Sequence, residues 1–333
     1  MGASTIDRQT LANVVQLACR APSLHNSQPW RLIAEDGQLR VFLEPHRAPQ
    51  ATDRSGREVV ISCGALLDHL VVAAAAAGWT AEVAHFPNPN DLDHLATIDF
   101  HRSELITDAA RARADAILTR RTDRLPFAAP TGWSFIEPLL RDAVSPETAT
   151  MYVLGDSARQ QLAQASRLTE SLRRYDSSYH AELQWWTAPF EVSDGIPASS
   201  LASAAKRERV DVARSFPLSG DHRQRPEVNR DHAVVAVLST DGDGRREALG
   251  CGEALSAVLL EATLAGLATC TLTHITELEA SRAIIRTLTG GGDDPQVLIR
   301  IGTVPALEDP PPATPRRPLA DMLEFRNSAQ PGA

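Results

Sequence analysis

The pattern of hydrophobic positions predicts two similar helix-turn-strand units far apart in the chain. Residues 10–20 and 135–143 carry apolar side chains at helical spacing, and each segment precedes a short apolar run, at residues 30–34 and 151–154. Two further short strands are predicted at residues 96–100 and 296–301. This mixture of helices and short strands indicates an α+β protein.

A nearly apolar segment occurs twice, at residues 61–79 and 249–267, with a constant offset between the copies. Each copy is predicted to form a helix of about 15 residues that starts after a glycine and ends at a glycine near its C-cap. A helix without a polar face is typical of a buried position. The positions that are identical in both copies are Cys63/Cys251, Gly64/Gly252, Leu67/Leu255, Ala74/Ala262, Ala77/Ala265 and Gly78/Gly266.

Because the neighbouring elements also agree, we divide the chain into two similar halves. We expect an N-terminal repeat at residues 1–105, a linker helix at residues 106–118 and a C-terminal repeat at residues 119–330. The second repeat carries an insertion at residues 175–232, which lacks strong periodicity. Such a segment is usually a lid, a binding loop or a disordered region.

The pair Trp185-Trp186 lies within the insertion and argues against disorder, since disordered segments are poor in aromatic residues. The two indole rings could cover a bound ligand or close its entrance. They could equally anchor the insertion on the core. The sequence alone leaves both interpretations open.

Composition and charge argue against several functional classes. The 333-residue chain has a net charge of -9 at pH 7, which disfavours a nucleic-acid or anionic-lipid surface. Its longest apolar run, residues 70–77, is shorter than the roughly 18 residues of a membrane span. The beginning of the sequence shows no secretory signal. The four cysteines fit neither a disulfide framework nor a metal site, so we expect buried free thiols in a cytoplasmic protein.

Candidate chemistry is concentrated in two arginine clusters and one loop. Arg120-Arg121-Thr122-Asp123-Arg124 opens the second half, and Arg316-Arg317 lies near its end. Guanidinium groups beside a hydroxyl suit a phosphate monoester, although a solvated basic surface has the same pattern. The loop at residues 21–30, with the sequence A-P-S-L-H-N-S-Q-P-W, is rigid and rich in amide groups, and by itself is typical of a turn. His25 and His274 are expected to be ordinary hydrogen-bonded loop histidines.

These segments resemble the FMN-dependent nitroreductase family. The loop at residues 21–30 is similar to the family signature A-P-S-x-x-N-x-Q-P-W, and residues 120–124 are similar to its phosphate motif R-x-[ST]-x-[RK]. The paired helices and a terminal R-x-P-L complete a resemblance that covers nearly the whole chain apart from the insertion. It implies a nitroreductase-like α+β fold in which two fused half-repeats mimic the family homodimer, with an inserted lid. The Acg-type nitroreductase-like proteins of mycobacteria and relatives resemble this arrangement.

The resemblance implies one FMN per chain, because each half has lost a different part of the site. The first half lacks the arginine motif, and the second half lacks the Pro-Ser loop. The implied phosphate ligands are Arg120 and either Arg316 or Arg317, while Thr122 would bind phosphate or ribityl oxygens and Arg124 would lie towards the pyrimidine. Arg121, from the same motif, is also implied to bind the cofactor. The residues implied to face the flavin ring are Pro22, Ser23, Leu24, Asn26 and Gln28 from the first half, with Thr271, Leu272 and Thr273 beside N5 and O4.

The function that the resemblance implies is electron transfer from NAD(P)H through FMN to a flat acceptor such as a nitroaromatic or a quinone. Since the flavin carries the chemistry, neither a catalytic side chain nor a metal is expected. One alternative is an FMN storage or sequestering protein whose lid closes the site and leaves little or no turnover. Another is a flavin-free scaffold. The expected partners are small molecules, and a monomer is sufficient, with further self-association allowed.

Overall fold

The computed structural model describes residues 5–188, 194–217, 228–305 and 313–326. The predicted α+β class is confirmed. The described helices are α1 (Arg8–Ala18), α2 (Arg57–Ala76), α3 (Asp108–Thr119), α4 (Trp133–Asp142), α5 (Arg159–Arg173), α6 (Ser177–Trp186), α7 (Ala204–Arg207), α8 (Arg245–Leu264) and α9 (Glu279–Leu288). The described strands are β1 (Trp30–Glu35), β2 (Gln38–Leu43), β3 (Trp79–His85), β4 (His94–Arg102), β5 (Thr150–Leu154), β6 (Val234–Thr240), β7 (Ala268–Leu272), β8 (Asp294–Gly302) and β9 (Leu323–Phe325).

The strands form two sheets, and the four strands that each half contributes lie in the same spatial order. Strands of the first half lie in the order β3-β4-β2-β1, and strands of the second half lie in the order β7-β8-β6-β5. Every pairing within these two sets of four is antiparallel. The C-terminal strand β9 breaks this correspondence, because it pairs in parallel with β1 and so extends the first sheet to five strands.

The two apolar helices α2 and α8 are each 20 residues long and pack against each other in the core. They cross at Gly64 and Gly252. A Cβ atom built on either glycine would lie 2.8 Å from the Cα of the other, and would also collide with a backbone carbonyl, that of Leu249 or of Ile61. Two residues at equivalent places on the helices also meet, since the Ser256 hydroxyl donates to the Asp68 carboxylate at 2.5 Å.

Both helices are longer than the sequence predicts. They begin at Arg57 and Arg245, so Gly64 and Gly252 lie inside them rather than before them. The reason is that these glycines provide the space for the helix crossing and do not act as caps. Each helix does end at a glycine, as predicted: Gly78 and Gly266 follow with φ of +83° and +73°, the left-handed conformation that glycine adopts without strain.

The helix α2 is long and apolar enough to cross a membrane by length and composition, but 78% of its most apolar window is buried inside the protein. That burial is what a core helix requires. The four cysteines, at positions 19, 63, 251 and 270, are all free and buried, as predicted. Burial raises the pKa of each thiol, that of Cys19 and that of Cys251 to about 12.

We expect Gly64→Ala to destabilise the fold by about 3 kcal/mol or more, because the added methyl group meets main chain that cannot rotate away. Gly292→Ala is the control, since a Cβ there meets no atom of the described chain within 4 Å. Urea unfolding of both variants measures the difference. Equal stability of Gly64→Ala and the wild type would contradict the close crossing of α2 and α8.

Candidate functional site

A cavity of about 430 Å³ lies where the two halves meet. Its wall contains the loop after α1 and the first turns of α2 from the first half. The second half contributes residues 118–124, the end of β7 and part of the insertion. A cavity of this size is within the range of small-molecule and cofactor sites. The site therefore depends on both halves being correctly placed.

The loop at residues 23–28 has an unusual backbone. His25, Asn26 and Gln28 all have positive φ values, of 52°, 59° and 49°, which cost free energy in residues other than glycine. The loop is held by hydrogen bonds at both ends: the Leu24 N–H donates to the Ser62 hydroxyl at 3.0 Å, and the Gln28 N–H donates to the Ser23 hydroxyl at 3.0 Å. A strained loop that is fixed in this way is typical of a binding site.

Asn26 is the point at which three segments meet. Its amide donates to the carbonyl oxygen of Gly195 in the insertion and to that of Pro315 in the C-terminal segment, each at 3.1 Å. The insertion is held to the first half by further contacts, in which the Ala51 and Thr52 N–H groups donate to the Glu182 carboxylate at 2.9 and 2.8 Å. The loop, the insertion and the C-terminal segment thus form one connected wall.

One end of the cavity carries cations without a matching anion. Arg120 follows the end of α3 and is only 9% exposed, yet no carboxylate of the described residues lies within ion-pair distance of it, and its Nε has no hydrogen-bond partner there. Burial and the nearby Arg20 lower the pKa of Arg120 to about 10. Burial, Arg120 and Arg20 together lower the pKa of Arg316 to about 9. These shifts indicate a place that favours a bound anion.

Arg316 also has a structural role. Its guanidinium donates to the backbone carbonyl oxygens of Cys19, Arg20 and Ala21 at 3.0, 2.9 and 3.2 Å. It therefore fixes the end of α1 to the C-terminal segment while it brings positive charge to the cavity. Arg120 has no such set of carbonyl acceptors among the described residues, so the two arginines are not equivalent.

The insertion supplies the opposite wall through ion pairs and a ring. Arg214 forms a close ion pair with the buried Glu277, and it also donates to the hydroxyls of Tyr179 and Thr273 at 3.2 Å. Arg124 donates to the Ser200 carbonyl oxygen at 3.1 Å. Its guanidinium also lies over the Phe216 ring, 5.4 Å from the centroid. These contacts hold residues 200–216 against the rest of the site.

Two buried histidines line the cavity and are neutral at physiological pH. Burial, reinforced by Arg214, lowers the pKa of both His25 and His274 well below the usual value. The Nε2 atom of His274 lies 2.9 Å from the Ser166 hydroxyl, and that of His25 lies 3.4 Å from the Thr52 hydroxyl. This agrees with the expectation of ordinary loop histidines.

Most of the residues that the sequence singles out come together in the cavity wall. They are Pro22, Ser23, Leu24, Asn26, Arg120, Arg121, Thr122, Arg124, Thr271, Leu272, Thr273 and Arg316. Gln28 and Arg317 lie outside it. The Gln28 side-chain oxygen accepts from the Arg317 N–H at 2.9 Å, and the Arg317 guanidinium bonds the Glu44 carboxylate at 2.7 Å, so both side chains fasten the C-terminal segment instead.

Trp185 and Trp186 do not line the cavity either, and the Trp185 side chain is 58% exposed. Of the two interpretations, the structure gives no support to a ring stacked in the cavity. The Trp186 carbonyl oxygen accepts from the Ile196 N–H at 2.7 Å and thereby orders the turn that carries Gly195.

Sequence reasoning missed several charged residues of the wall, namely Arg20, Glu58, Arg207, Arg214 and Arg300. Arg20 directly precedes the recognised loop and could have been included for that reason. Glu58 stands four residues before Ser62 on the same face of α2, but the predicted helix began too late to include it. Arg214 lies in the insertion, where no sequence pattern marks it.

Comparisons with known proteins agree on one class, the nitroreductases. No family model matches the chain. The chain is 57% identical over 321 residues to the Mycobacterium tuberculosis protein named "Putative NAD(P)H nitroreductase acg", a match that covers 96% of this chain and 97% of that protein. Another M. tuberculosis protein, also named as an NAD(P)H nitroreductase, is 36% identical over 333 residues, covering 96% of this chain and 92% of that protein.

Solved structures of the same class are more distant. The NADPH complex of the FMN-dependent nitroreductase NfnB from Mycobacterium smegmatis matches with a TM-score of 0.39 and 18% identity, over 66% of this chain and 100% of that chain. The FMN-bound nitroreductase from Bacteroides fragilis matches with a TM-score of 0.37 and 14% identity, over 60% and 93% of the two chains. On the sequence identity to its M. tuberculosis relatives, this chain belongs to the Acg-type nitroreductase family.

We expect Arg120→Ala to change the stability of the ligand-free protein by less than about 1 kcal/mol, because it removes a buried cation that faces Arg20 and Arg316. Arg316→Ala should destabilise it by about 2 kcal/mol or more, since charged hydrogen bonds to three carbonyl oxygens are lost. Thermal unfolding in phosphate-free buffer measures both. If the two variants lose equal stability, Arg120 is a structural residue and the anion site is in doubt.

Proposed function

We propose that this protein is an FMN-binding oxidoreductase that takes electrons from NAD(P)H and passes them to a flat acceptor such as a nitroaromatic or a quinone. The observation that carries the proposal is the cavity itself. It combines the buried Arg120, which has no carboxylate partner among the described residues, with a strained, amide-rich loop from the other half. The names of the M. tuberculosis relatives support the donor, and the FMN named for the NfnB and Bacteroides proteins is the ligand that the resemblance implies.

The residues present fit the phosphate of FMN. The Arg120 Nε has no partner among the described residues, and a phosphate dianion would relieve the mutual repulsion of Arg20, Arg120 and Arg316. Thr122 lies next to them on the cavity wall, where its hydroxyl would bind a phosphate or ribityl oxygen. Arg121 lies at the same end of the wall and is exposed, which places its charge at the mouth of the site.

The remaining wall would hold the flavin ring. Pro22, Leu24 and Asn26 would contact it from the first half, and residues 271–273 would contact it from the end of β7. When bound, FMN supplies the hydride and electron-transfer chemistry, so the chain has to provide only binding, orientation and exclusion of water.

We further propose that the two halves are diverged copies that together make one site. The identical strand order, the equal lengths of α2 and α8 and the reciprocal glycine contact support a common origin. In the first half Ser62 receives the N–H of Leu24 from the loop. Its counterpart Gly250 instead packs against Thr148, from the segment that replaces the loop. This difference supports one FMN per chain and a monomer as the sufficient unit.

A second candidate function is FMN storage under a closed lid. The observation that favours it is the attachment of the insertion, whose Arg214 and Phe216 line the cavity while Arg214 is paired with the buried Glu277. A second ion pair, between Arg47 and Asp194, joins the insertion to the first half. An insertion fixed by buried ion pairs would open slowly and limit the access of nicotinamide. The four buried free thiols support a cytoplasmic location for either role.

We expect the purified protein to bind one FMN per chain, and Arg120→Ala to weaken FMN binding by about tenfold or more because a charge-assisted contact with phosphate is lost. Arg8→Ala is the matched control, since Arg8 is exposed and stacks on Phe325 away from the cavity. Flavin absorbance after gel filtration gives the ratio, and fluorescence quenching gives the affinity. Two flavins per chain, or a protein that binds none, would refute this proposal.

Anaerobic mixing of the FMN-loaded protein with excess NADPH or NADH separates the two functions. An oxidoreductase should lose its flavin absorbance within seconds, because reduced nicotinamide reaches the ring. A storage protein should keep the flavin oxidised for many minutes. A variant that breaks the attachment of the insertion, Arg47→Ala, should then accelerate the reduction if access is the limit.

A further inference from the structure

Glu58 lies in the cavity wall as an acid with no hydrogen-bond donor. It is in the first turn of α2, one turn before Ile61 and Ser62, which line the same cavity. The residue is 2% exposed. Neither of its carboxyl oxygens has a hydrogen-bond partner among the described residues. A buried carboxyl group that is left in this state is unusual, because native proteins satisfy nearly all such atoms.

The cations near Glu58 are already committed to other groups. The Arg57 guanidinium is 3.5 Å from Glu58 Oε1, but it donates to the backbone and side-chain oxygens of Gln296 at 2.6 and 2.9 Å and to those of Thr276 at 3.0 and 3.1 Å. Arg214, from the insertion, is paired with Glu277. Glu58 is therefore left with one long ion pair, to Arg57, and with no hydrogen bond from the described residues.

The acidic groups around Glu58 raise its pKa, as its burial does. Glu277 approaches from the segment between β7 and α9, and Asp53 approaches from the loop before α2. The start of α2 favours an anion there, and Arg57 and Arg214 oppose the shift as well. Burial outweighs these effects and, with the two acids, raises the pKa of Glu58 to about 8.

We propose that Glu58 is a neutral carboxylic acid at physiological pH and donates a hydrogen bond to the flat ring held in the cavity. This rests on the proposed function, because it requires a ring with carbonyl oxygen or imine nitrogen acceptors. Glu58 is a residue of the wall around the space where the ligand would lie, and its buried carboxyl oxygens lack a hydrogen-bond partner within the described chain. His25 and His274 on the same wall are also neutral, and each keeps one ring N–H group.

Ionisation of Glu58 would change the site in two ways. The anion has no proton to donate, and it adds a negative charge to a cavity that is proposed to hold the doubly charged phosphate of FMN. Ligand binding should therefore favour protonated Glu58 and raise its pKa further. If only the protonated form binds, the affinity falls by about 30-fold between pH 7 and pH 9.5.

The test is the dissociation constant of FMN from pH 6.5 to pH 9.5 for the wild type, Glu58→Gln and Asp68→Asn. Glu58→Gln keeps a hydrogen-bond donor that does not titrate, so its affinity should fall only by the few-fold that loss of the Arg316 charge above pH 8 causes in both proteins. Asp68 is a partly buried acid outside the cavity, and burial raises its pKa to about 6. Asp68→Asn should therefore follow the wild type above pH 7.

The outcomes separate this inference from the proposed function. The role of Glu58 is supported if the wild type loses much more FMN affinity above pH 8 than Glu58→Gln does. If both proteins bind FMN and respond to pH alike, the role of Glu58 is wrong while the FMN site stands. A wild type that binds no FMN at any pH overturns the proposed function itself.

A second measurement covers the case in which Glu58→Gln fails to fold. Infrared spectra of the Asp68→Asn protein should show the carbonyl band of a protonated carboxylic acid at pH 7. The band should shift when FMN is added and disappear near pH 9.5 in the ligand-free protein. Its absence at pH 7, or no response to FMN, would overturn the proposal.

Discussion

The contact between Gly64 and Gly252 fixes the relative position of the two halves. At the crossing, the main chain of each helix occupies the space where a side chain of the other would lie. Ser62 stands half a turn before this contact and holds the strained loop at Leu24. Because the loop is anchored to α2, the crossing sets its distance from the arginines of the second half. A site built across two repeats requires such a rigid reference.

The cavity combines two costly electrostatic arrangements. Near Arg120 the cations repel one another, and near Glu58 an acid faces the cavity without a donor. Neither arrangement stabilises the ligand-free protein, and each would be relieved by a ligand with an anion at one end and acceptors on a ring. Departures from good internal pairing are expected at functional sites, where the fold sacrifices stability for recognition.

The helices α2 and α8 carry different residues at equivalent positions, and this difference also bears on how one site is built. In a homodimer every substitution appears at both equivalent places. Here Glu58 corresponds to Arg246 on the other helix, and Ser62 corresponds to Gly250. A single chain can thus adapt one side to a ligand and fill the other with protein.

How far the sequence alone could predict this molecule depends on the kind of interaction. The paired helices were predictable because small and apolar residues recur at equal positions, and the loop at residues 21–30 was predictable because its motif is long. The bounds of the two helices were less predictable, because a glycine at a helix crossing gives the same sequence pattern as a glycine at a helix cap. The directions of Gln28 and Arg317 depend on Glu44 and the C-terminal segment, which no local pattern relates to them. The exposure of Glu58 to the cavity results from packing between distant segments.

The position of β9 makes the first sheet depend on a segment that is synthesised after the other strands of both halves. Until Leu323–Phe325 leave the ribosome, β1 presents an unpaired edge, and the carbonyl groups after α1 lack the guanidinium of Arg316. The first half can form its hairpin and its buried helix earlier, but its binding loop is completed only when residues 313–326 have been synthesised. A chain cut before this segment would consequently display an open strand and a loose loop, features that chaperones and proteases recognise. Completion of the cavity therefore waits for a segment that follows both sets of four strands.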